Sequence, residues 1–371
     1  KRRTKAWQIT HWSEDNINFL FKYAAILLHS KIPVEIVSSN VIGASTQIKY
    51  SNAFSEGCII LWNIASILSE SLIYFPLNDK KTREIYKERI STILKIFYSL
   101  QIDLLPSIQF NSKSDFTIQN VAFYHTLYAA HYYEILILIG EANNENLTTL
   151  TLNNIIAENY FKAANKINPF PSNFSTQKNY YPCIDIIINR ISLYHINSLI
   201  TQSRSEEKNL LMGSAIFYLN QAVEALNSVP KSFRSTDTFT KLNQDVQNKK
   251  KSLEDYNKRI YFCLVRCESP LPEIQCVDEV LHSEIKNKLE LDFSNNEKIK
   301  EEINELNKSI DTQREMLINS ADSISILTSI LYECDSSRKK INSKIFASSD
   351  TSNKNTQNNN ELNLPSMLNN V

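Results

Sequence analysis

The sequence predicts an all-α protein, an antiparallel array of amphipathic helices with at most a short strand element near the N-terminus. Three observations carry this. Only four glycines (Gly43, Gly57, Gly140, Gly213) serve 371 residues, against roughly 7% in average usage, so tight hairpin turns and phosphate-cradling loops have few places to form. Apolar residues recur at helical spacing, most clearly in FSEGCIILWNIASILSE (54–70), where Ile60, Leu61, Ile64, Ile67 and Leu68 fall at i, i+1, i+4, i+7 and i+8. The segment VEIVSSNVIGASTQIKY (34–50) is the one place where β-branched residues and an internal glycine let a strand or irregular loop compete with helix.

Taken in order, the first helix runs from Asp15 to Leu28, opened by Ser13 as a cap and by Glu14 and Asp15, and is over by Pro33. The helix over 54–70 buries its apolar stripe; Glu56 and Asn63, seven apart, share a second face that reads as a solvated polar edge, or else as a carboxylate and an amide binding neighbouring backbone or helix ends. Pro76, Asn78 and Asp79 mark a turn before a helix from about Lys80 to Leu100, with Ile90, Leu94 and Phe97 inward and Ile85 and Leu100 extending that face. Pro106 to Ser114 is a polar connection. The helix TIQNVAFYHTLYAAHYYEILILIG is apolar nearly all round, so neighbours must cover it on several sides, and it ends at Gly140 as a C-terminal cap. Leu147 to Lys166 follows, with Ile155, Ile156, Tyr160 and Phe161 as core residues, and NPFPSNF breaks it. Helices over 182–202 and 209–227 complete an array in which each hairpin packs on the previous one.

Leu242, Val246, Lys249, Leu253, Tyr256 and Ile260 form a heptad seam that runs directly into NKRIYFCLVRCESPLPEI. Pro270 and Pro272 forbid further helix there, so this strap should lie extended across helices already formed. Further on, Ile299, Ile303, Leu306, Ile310, Leu317, Ile324, Leu327 and Leu331 keep a 4-3 rhythm. They predict a long helix over 284–346 that packs on a partner helix, either the root of a second arm or an oligomer through residues 299–331. From 347 to 371 the chain is low in complexity and too poor in apolar residues to order itself.

Function classes fall away in turn. Forty basic residues balance forty acidic ones, so there is no whole-chain field for nucleic acid or an anionic bilayer, and no nucleic-acid partner is expected. No phosphate-binding glycine motif can be written, no nucleophile elbow or thiol-protease signature is present, and no catalytic residue is assigned. His125 and His131 are six apart, a poor match to paired metal ligands, and read as core histidines. Cys263, Cys267 and Cys276 lack a completing CxxC or HxxxH. The six cysteines read as free thiols in a reducing compartment, Cys263, Cys267 and Cys276 as buried ones, so no metal or cofactor is expected and the chain reads as cytoplasmic. The apolar runs are shorter than the ~18 residues of a membrane span, and the basic start KRRTKAW has no apolar core of a secretory signal behind it. Glu134, inside an apolar helix, reads as a structural hydrogen-bonding group, the alternative being a buried carboxylate with a raised pKa.

Four motifs in register resemble those of the Bro domain family, the Alix-like adaptors of the ESCRT membrane-remodelling machinery. Glu56, Leu61-Trp62-Asn63, Ile64 and Ala65 are similar to its E-x4-LFN-hydrophobic-A signature, with Trp62 where phenylalanine is usual. AAHYYE (129–134) resembles its AQAQE helix and keeps Glu134. Gly213, Ile216, Leu219 and Ala222 match G-x2-I-x2-L-x2-A, and Asn257, Ile260-Tyr261 and Leu271-Pro272-x-Ile274 resemble the ND-x-IY ending. The likeness covers roughly residues 34–283, leaving 1–33 as an N-terminal helix in which the family's start is not recognisable.

The resemblance implies a curved, boomerang-shaped domain with a TPR-like solenoid core, working as a non-enzymatic adaptor in endosomal sorting. Its partner would be the C-terminal amphipathic helix of an ESCRT-III filament subunit, held in a hydrophobic groove, with endosomal membranes reached through partners. Carried over by position, the groove is lined by Leu136, Ile139 and Leu150, with Lys80, Glu84 and Glu88 on the helix before. Family members place mostly basic side chains where Glu84 and Glu88 stand, which implies an inverted partner charge. The alternative is a scaffold adaptor of the same family with a different peptide partner.

Overall fold

Helix starts are set by side chains that replace missing backbone bonds. Ser13 Oγ accepts from the Asn16 N–H at 3.2 Å, Asp79 Oδ1 from Thr82 at 2.8 Å, Thr117 Oγ1 from Asn120 at 3.2 Å and Thr236 Oγ1 from Phe239 at 3.2 Å. The computed structural model describes residues 2–30, 36–39, 47–50, 52–73, 75–108, 116–167, 181–267, 270–272, 301, 303–309 and 311–312. These form α1 (Arg2–Gln8), α2 (Glu14–His29), β1 (Ile36–Ser39), β2 (Gln47–Tyr50), α3 (Ala53–Ile73), α4 (Lys80–Ser99) and α5 (Ile118–Ala142). Then come α6 (Leu147–Ile167), α7 (Tyr181–Lys208), α8 (Met212–Ser228), the single turn α9 (Lys231–Arg234) and α10 (Asp237–Tyr256).

The β-branched segment resolves as a short antiparallel pair, with Ile36 opposite Tyr50 and Ser39 opposite Gln47. From α2 onward each long helix packs on the next: α2 on α3, α3 on α4, and so on to α7 on α8, with α10 closing on α8. This nearest-neighbour stacking is the solenoid-like array expected from the helical periods. Two cores result. One joins α1 to α6 and the first half of α7, and the second joins the second half of α7 to α8, α9, α10 and Leu271 of the strap.

The stripe of α3 is buried as its period requires, with Ile60, Leu61 and Ile64 fully enclosed. α3 is long and apolar enough by composition to cross a bilayer, which the short apolar runs had not suggested; 67% of its most apolar window is buried inside the protein, as in a core helix. Glu56 departs from the solvated edge expected of it. It is fully buried, accepting from Tyr23 Oη at 3.0 Å and Arg3 Nε at 3.1 Å, and so ties α1 and α2 to α3.

Gly140 is not the cap of α5. The helix continues to Ala142, and Asn144 takes the left-handed conformation (φ 53°) instead. Gly140 serves close packing: a Cβ there would lie 2.7 Å from Leu150 Cδ2 and 2.8 Å from Glu145 Oε2. The heptad seam of α10 holds for half its length. Val246 and Leu253 are buried, Leu242 packs on the second core, and Lys249 pairs with Glu207 at 2.7 Å. Tyr256 and Ile260 face outward instead.

The strap does lie across a formed helix. Its Leu264 carbonyl passes so close to α8 that a Cβ on Gly213 would stand 1.9 Å from the oxygen, and Cys267 Sγ meets Tyr218 Oη at 3.4 Å. Beyond it, residues 303–309 are helical, and Ile303 packs on Ala25 and Ile26 of α2 while Asn307 Nδ2 donates to the His29 carbonyl at 3.1 Å. One seam position assigned to a partner helix is thus covered within the chain. The other seam positions from Ile310 on, the linker around Pro169 and the tail over 347–371 lie outside the described residues.

Candidate functional site

α5 is the helix on which the candidate residues converge. It lies between α4 and α6, and an aromatic cluster sets its register against α3 and α4: the Trp62 ring is 5.3 Å from Phe97, 5.7 Å from Phe116 and 5.2 Å from Tyr124. These tilted and edge-on contacts make Trp62 a packing residue. Asn63, beside it, is half-buried.

One side of α5 carries a polar network. The Glu134 carboxylate contacts His131 and lies 3.4 Å from Arg190 Nη1 on α7, with Tyr194 completing the set. Burial pushes the Glu134 carboxyl up, but the charges of His131 and Arg190 and the bonds from His131 and Tyr194 outweigh it and hold the group at about 2. The raised value that burial alone would give does not hold, because His131 one turn earlier on α5 and Arg190 and Tyr194 from α7 all meet the carboxylate. Tyr86 of α4 joins the same field, its hydroxyl pushed up to about 12 by burial and by the Glu134 charge. Arg190, Tyr194 and Tyr86 were missed in the sequence, although Arg190 interrupts the apolar run IDIIINRISLY as an unexplained cation.

The residues expected from the resemblance to line a groove lie on other faces of these helices. Leu136 stands two residues from Glu134, and Glu84 and Glu88 stand two residues either side of Tyr86. At about 100° per residue each lies roughly 160° round its helix from the network, so all three share the opposite side of the array. Leu136 is half-buried against the first core. Ile139 and Leu150 retain only 9% and 6% of their surface, and Leu150 seats on Gly140. Antiparallel packing of α4 on α5 brings the exposed Lys80 alongside the end of α5; Glu84 is half-buried and Glu88 exposed. Leu138, not singled out in the sequence, is 40% exposed, in line with His131, Glu134 and Glu141 on the network side.

A cavity of about 370 Å³ opens among the end of α5, α6, α7, α8 and α10, with Glu141, Asn154, Asn197, Arg204, Leu219 and Lys249 in its wall, and none of Leu136, Ile139 or Leu150 borders it. His125 is buried beside Tyr98, as a core histidine. Cys58 is buried and its thiol pushed up to about 12 by that burial. Cys263 and Cys267 correct the expectation of buried thiols, since both are exposed on the strap. Among the described residues, no three of His, Cys, Asp or Glu gather in a metal-binding group.

At the far end, Asn257 is buried and clamps the backbone of Cys263, its Oδ1 accepting from the Cys263 N–H at 2.8 Å and its Nδ2 donating to the Cys263 carbonyl at 2.9 Å. The motif's Tyr261 is 38% exposed.

This fold has solved counterparts. The chain is similar to the ALIX BRO1–CHMP4C complex structure at 14% identity and TM-score 0.64, over 74% of this chain and 81% of that one. It is similar to ALIX in complex with the SIVmac239 PYKEVTEDL late domain at 14% identity and TM-score 0.62, over 74% of this chain and 41% of that one. A structure described as the basis for endosomal targeting by the Bro1 domain matches at 16% identity and TM-score 0.56, over 78% of this chain and 84% of that one. No curated protein matches the chain by sequence. The model of the BRO1-like domain matches residues 1–306, which extends the likeness to both sides of the motif-bearing stretch. The chain belongs to the BRO1-like domain family.

Proposed function

We propose that this protein is a non-enzymatic adaptor of the ESCRT pathway, recruited from the cytoplasm to endosomes, that captures the C-terminal amphipathic helix of an ESCRT-III filament subunit. Membership of the BRO1-like family over residues 1–306 carries the reading, and a related domain is known in complex with CHMP4C. The seat would be the side of α4, α5 and α6 away from the Glu134 network. Leu136 would be the accessible anchor, Ile139 and Leu150 the floor, and Lys80, Glu84 and Glu88 the polar rim.

The physics is helix-in-groove recognition with anchors at i, i+3, i+4 and i+7 of the partner. Leucine-sized anchors give roughly 1.5–3 kcal/mol each, against association costs of about 4–15 kcal/mol. Three anchors on a shallow floor therefore need polar help, and affinity should be modest, near micromolar. Glu84 and Glu88 favour a partner helix that presents basic residues to α4.

Titration of the full chain with a labelled C-terminal helix of the ESCRT-III filament subunit, read by fluorescence anisotropy, tests this. Leu136→Asp should weaken binding at least ~10-fold, a loss of about 1.4 kcal/mol or more, with the helical circular dichroism unchanged. Glu84→Lys with Glu88→Lys should weaken binding of a basic helix and reverse the effect of charge on the peptide. Undiminished binding by folded Leu136→Asp, or indifference to both glutamates, would refute the groove.

A further inference from the structure

We propose that the turn and strap following α10 form a wedge that binds anionic lipid surfaces directly. The apolar side chains Ile260, Phe262 and Leu264 would enter the interface, and Lys258 and Arg259 would meet the headgroups. The proposal is independent of the partner-helix groove, which uses α4, α5 and α6.

The first support is exposure. Ile260, Phe262 and Leu264 present 60%, 75% and 76% of their surface, and Tyr256 and Val265 are exposed beside them. Single exposed apolar residues need no explanation, but a run of large ones within ten positions marks a binding surface. The second is charge. Lys258 and Arg259 stand directly before Ile260 and are exposed, with Arg266 further along the strap, while the acidic Glu254, Asp255 and Glu268 lie just outside the span 256–267. Apolar side chains with tyrosines and flanking cations are what an interfacial membrane segment requires, the rings lying at headgroup depth and the cations facing anionic lipid.

The third support is rigidity. Phe262 sits in the left-handed region (φ 51°), where a bulky residue is strained, and its N–H closes the turn onto the Asn257 carbonyl at 2.7 Å. Asn257 holds Cys263 through two bonds, and Gly213 lets the Leu264 backbone lie directly on α8. The backbone is thus fixed from beneath while its apolar side chains point outward, so little ordering is needed on docking.

Co-flotation of the full chain with neutral phosphatidylcholine vesicles, and with vesicles containing about one third phosphatidylserine, tests the proposal. The protein should float with the anionic vesicles only, and binding should fall as salt rises from about 0.1 to 0.5 M. Phe262→Asn with Leu264→Ser, and separately Lys258→Gln with Arg259→Gln, should each lower the bound fraction about tenfold. Asparagine tolerates the left-handed backbone, and the replaced side chains are exposed, so the thermal midpoint should hold. Should the apolar variant fold poorly, Phe262→Trp decides, because brominated lipid should quench its added fluorescence. Failure of the protein to float, equal binding to neutral vesicles, undiminished flotation of folded variants, or no quenching of Phe262→Trp would each overturn the wedge. Loss of vesicle binding with retained capture of the ESCRT-III helix separates this surface from the groove.

Discussion

Replacing Arg190 by methionine keeps much of the aliphatic stem but leaves Glu134 facing His131 and Tyr194 with no permanent cation beside it. Both members of the pair are largely buried, at 17% and 14% side-chain exposure. Removing one partner of a buried ion pair costs about 3–5 kcal/mol, since the other charge stays desolvated. At the ~2 °C per kcal/mol appropriate to a long chain, Arg190→Met should lower the thermal midpoint by about 6–10 °C at neutral pH. The effect should depend on pH in a definite direction. The Glu134 carboxyl is held at about 2 in the folded protein, against 4.5 for a free one. The charged network therefore contributes fully above about pH 4.5, and that contribution is lost as pH falls towards 2. The gap between wild type and Arg190→Met should be widest near neutrality and should narrow on acidification. Adding Glu134→Gln should recover part of the loss, because the stranded charge is then gone. Urea midpoints followed by circular dichroism from pH 7 to about pH 3 would measure this. A loss below ~1 kcal/mol, or a gap of constant size across that range, would refute the account of the network.

Two further substitutions probe packing. Trp62→Ala should destabilise by about 3–5 kcal/mol, because three rings lose their common neighbour. Trp62→Phe, the residue usual in the family, should cost under about 1.5 kcal/mol; equal losses in urea unfolding would contradict the role given to Trp62. Gly213→Ala gains helix propensity of about 0.5–1 kcal/mol but drives a methyl into the Leu264 carbonyl, so the strap must lift. Amide exchange over residues 262–272 should rise while α3 to α6 stay protected, and unchanged exchange would show that the strap is not seated on Gly213.

The lifted strap and the missing cation show where local pattern stops being informative. Period and capping chemistry are local, and they suffice for the helices of the array. Ser13, Asp79 and Thr236 open helices because their side chains replace hydrogen bonds within three residues, and Ile90, Leu94 and Phe97 point inward because 3.6 residues make a turn. The motif ending at Tyr261 and the two strap prolines likewise sufficed to place an extended segment across helices. The residues proposed to line a groove were placed by the family resemblance; from the sequence alone Leu136, Ile139 and Leu150 are only apolar positions on helices. How much of Leu136, Ile139 and Leu150 stays open depends on how closely α6 approaches α5 at Gly140.

What the amino-acid order determined alone was a stack of amphipathic helices, its caps and breaks, and the family motifs. Tertiary structure decided the electrostatics and the exposed surface. Glu56 is buried because Tyr23 and Arg3 come from other helices to meet it, and Glu134 stays ionised because Arg190, from α7 and 56 positions later in the chain, adds its charge to that of His131 one turn before. Leu264 is bare because its backbone, lying on Gly213 of α8, and not its side chain makes the contact, and Ile260 and Phe262 stay exposed beside it. Charge stabilisation and solvent exposure are sums over neighbours in space, and those neighbours lie far beyond the few residues over which a helical period carries information.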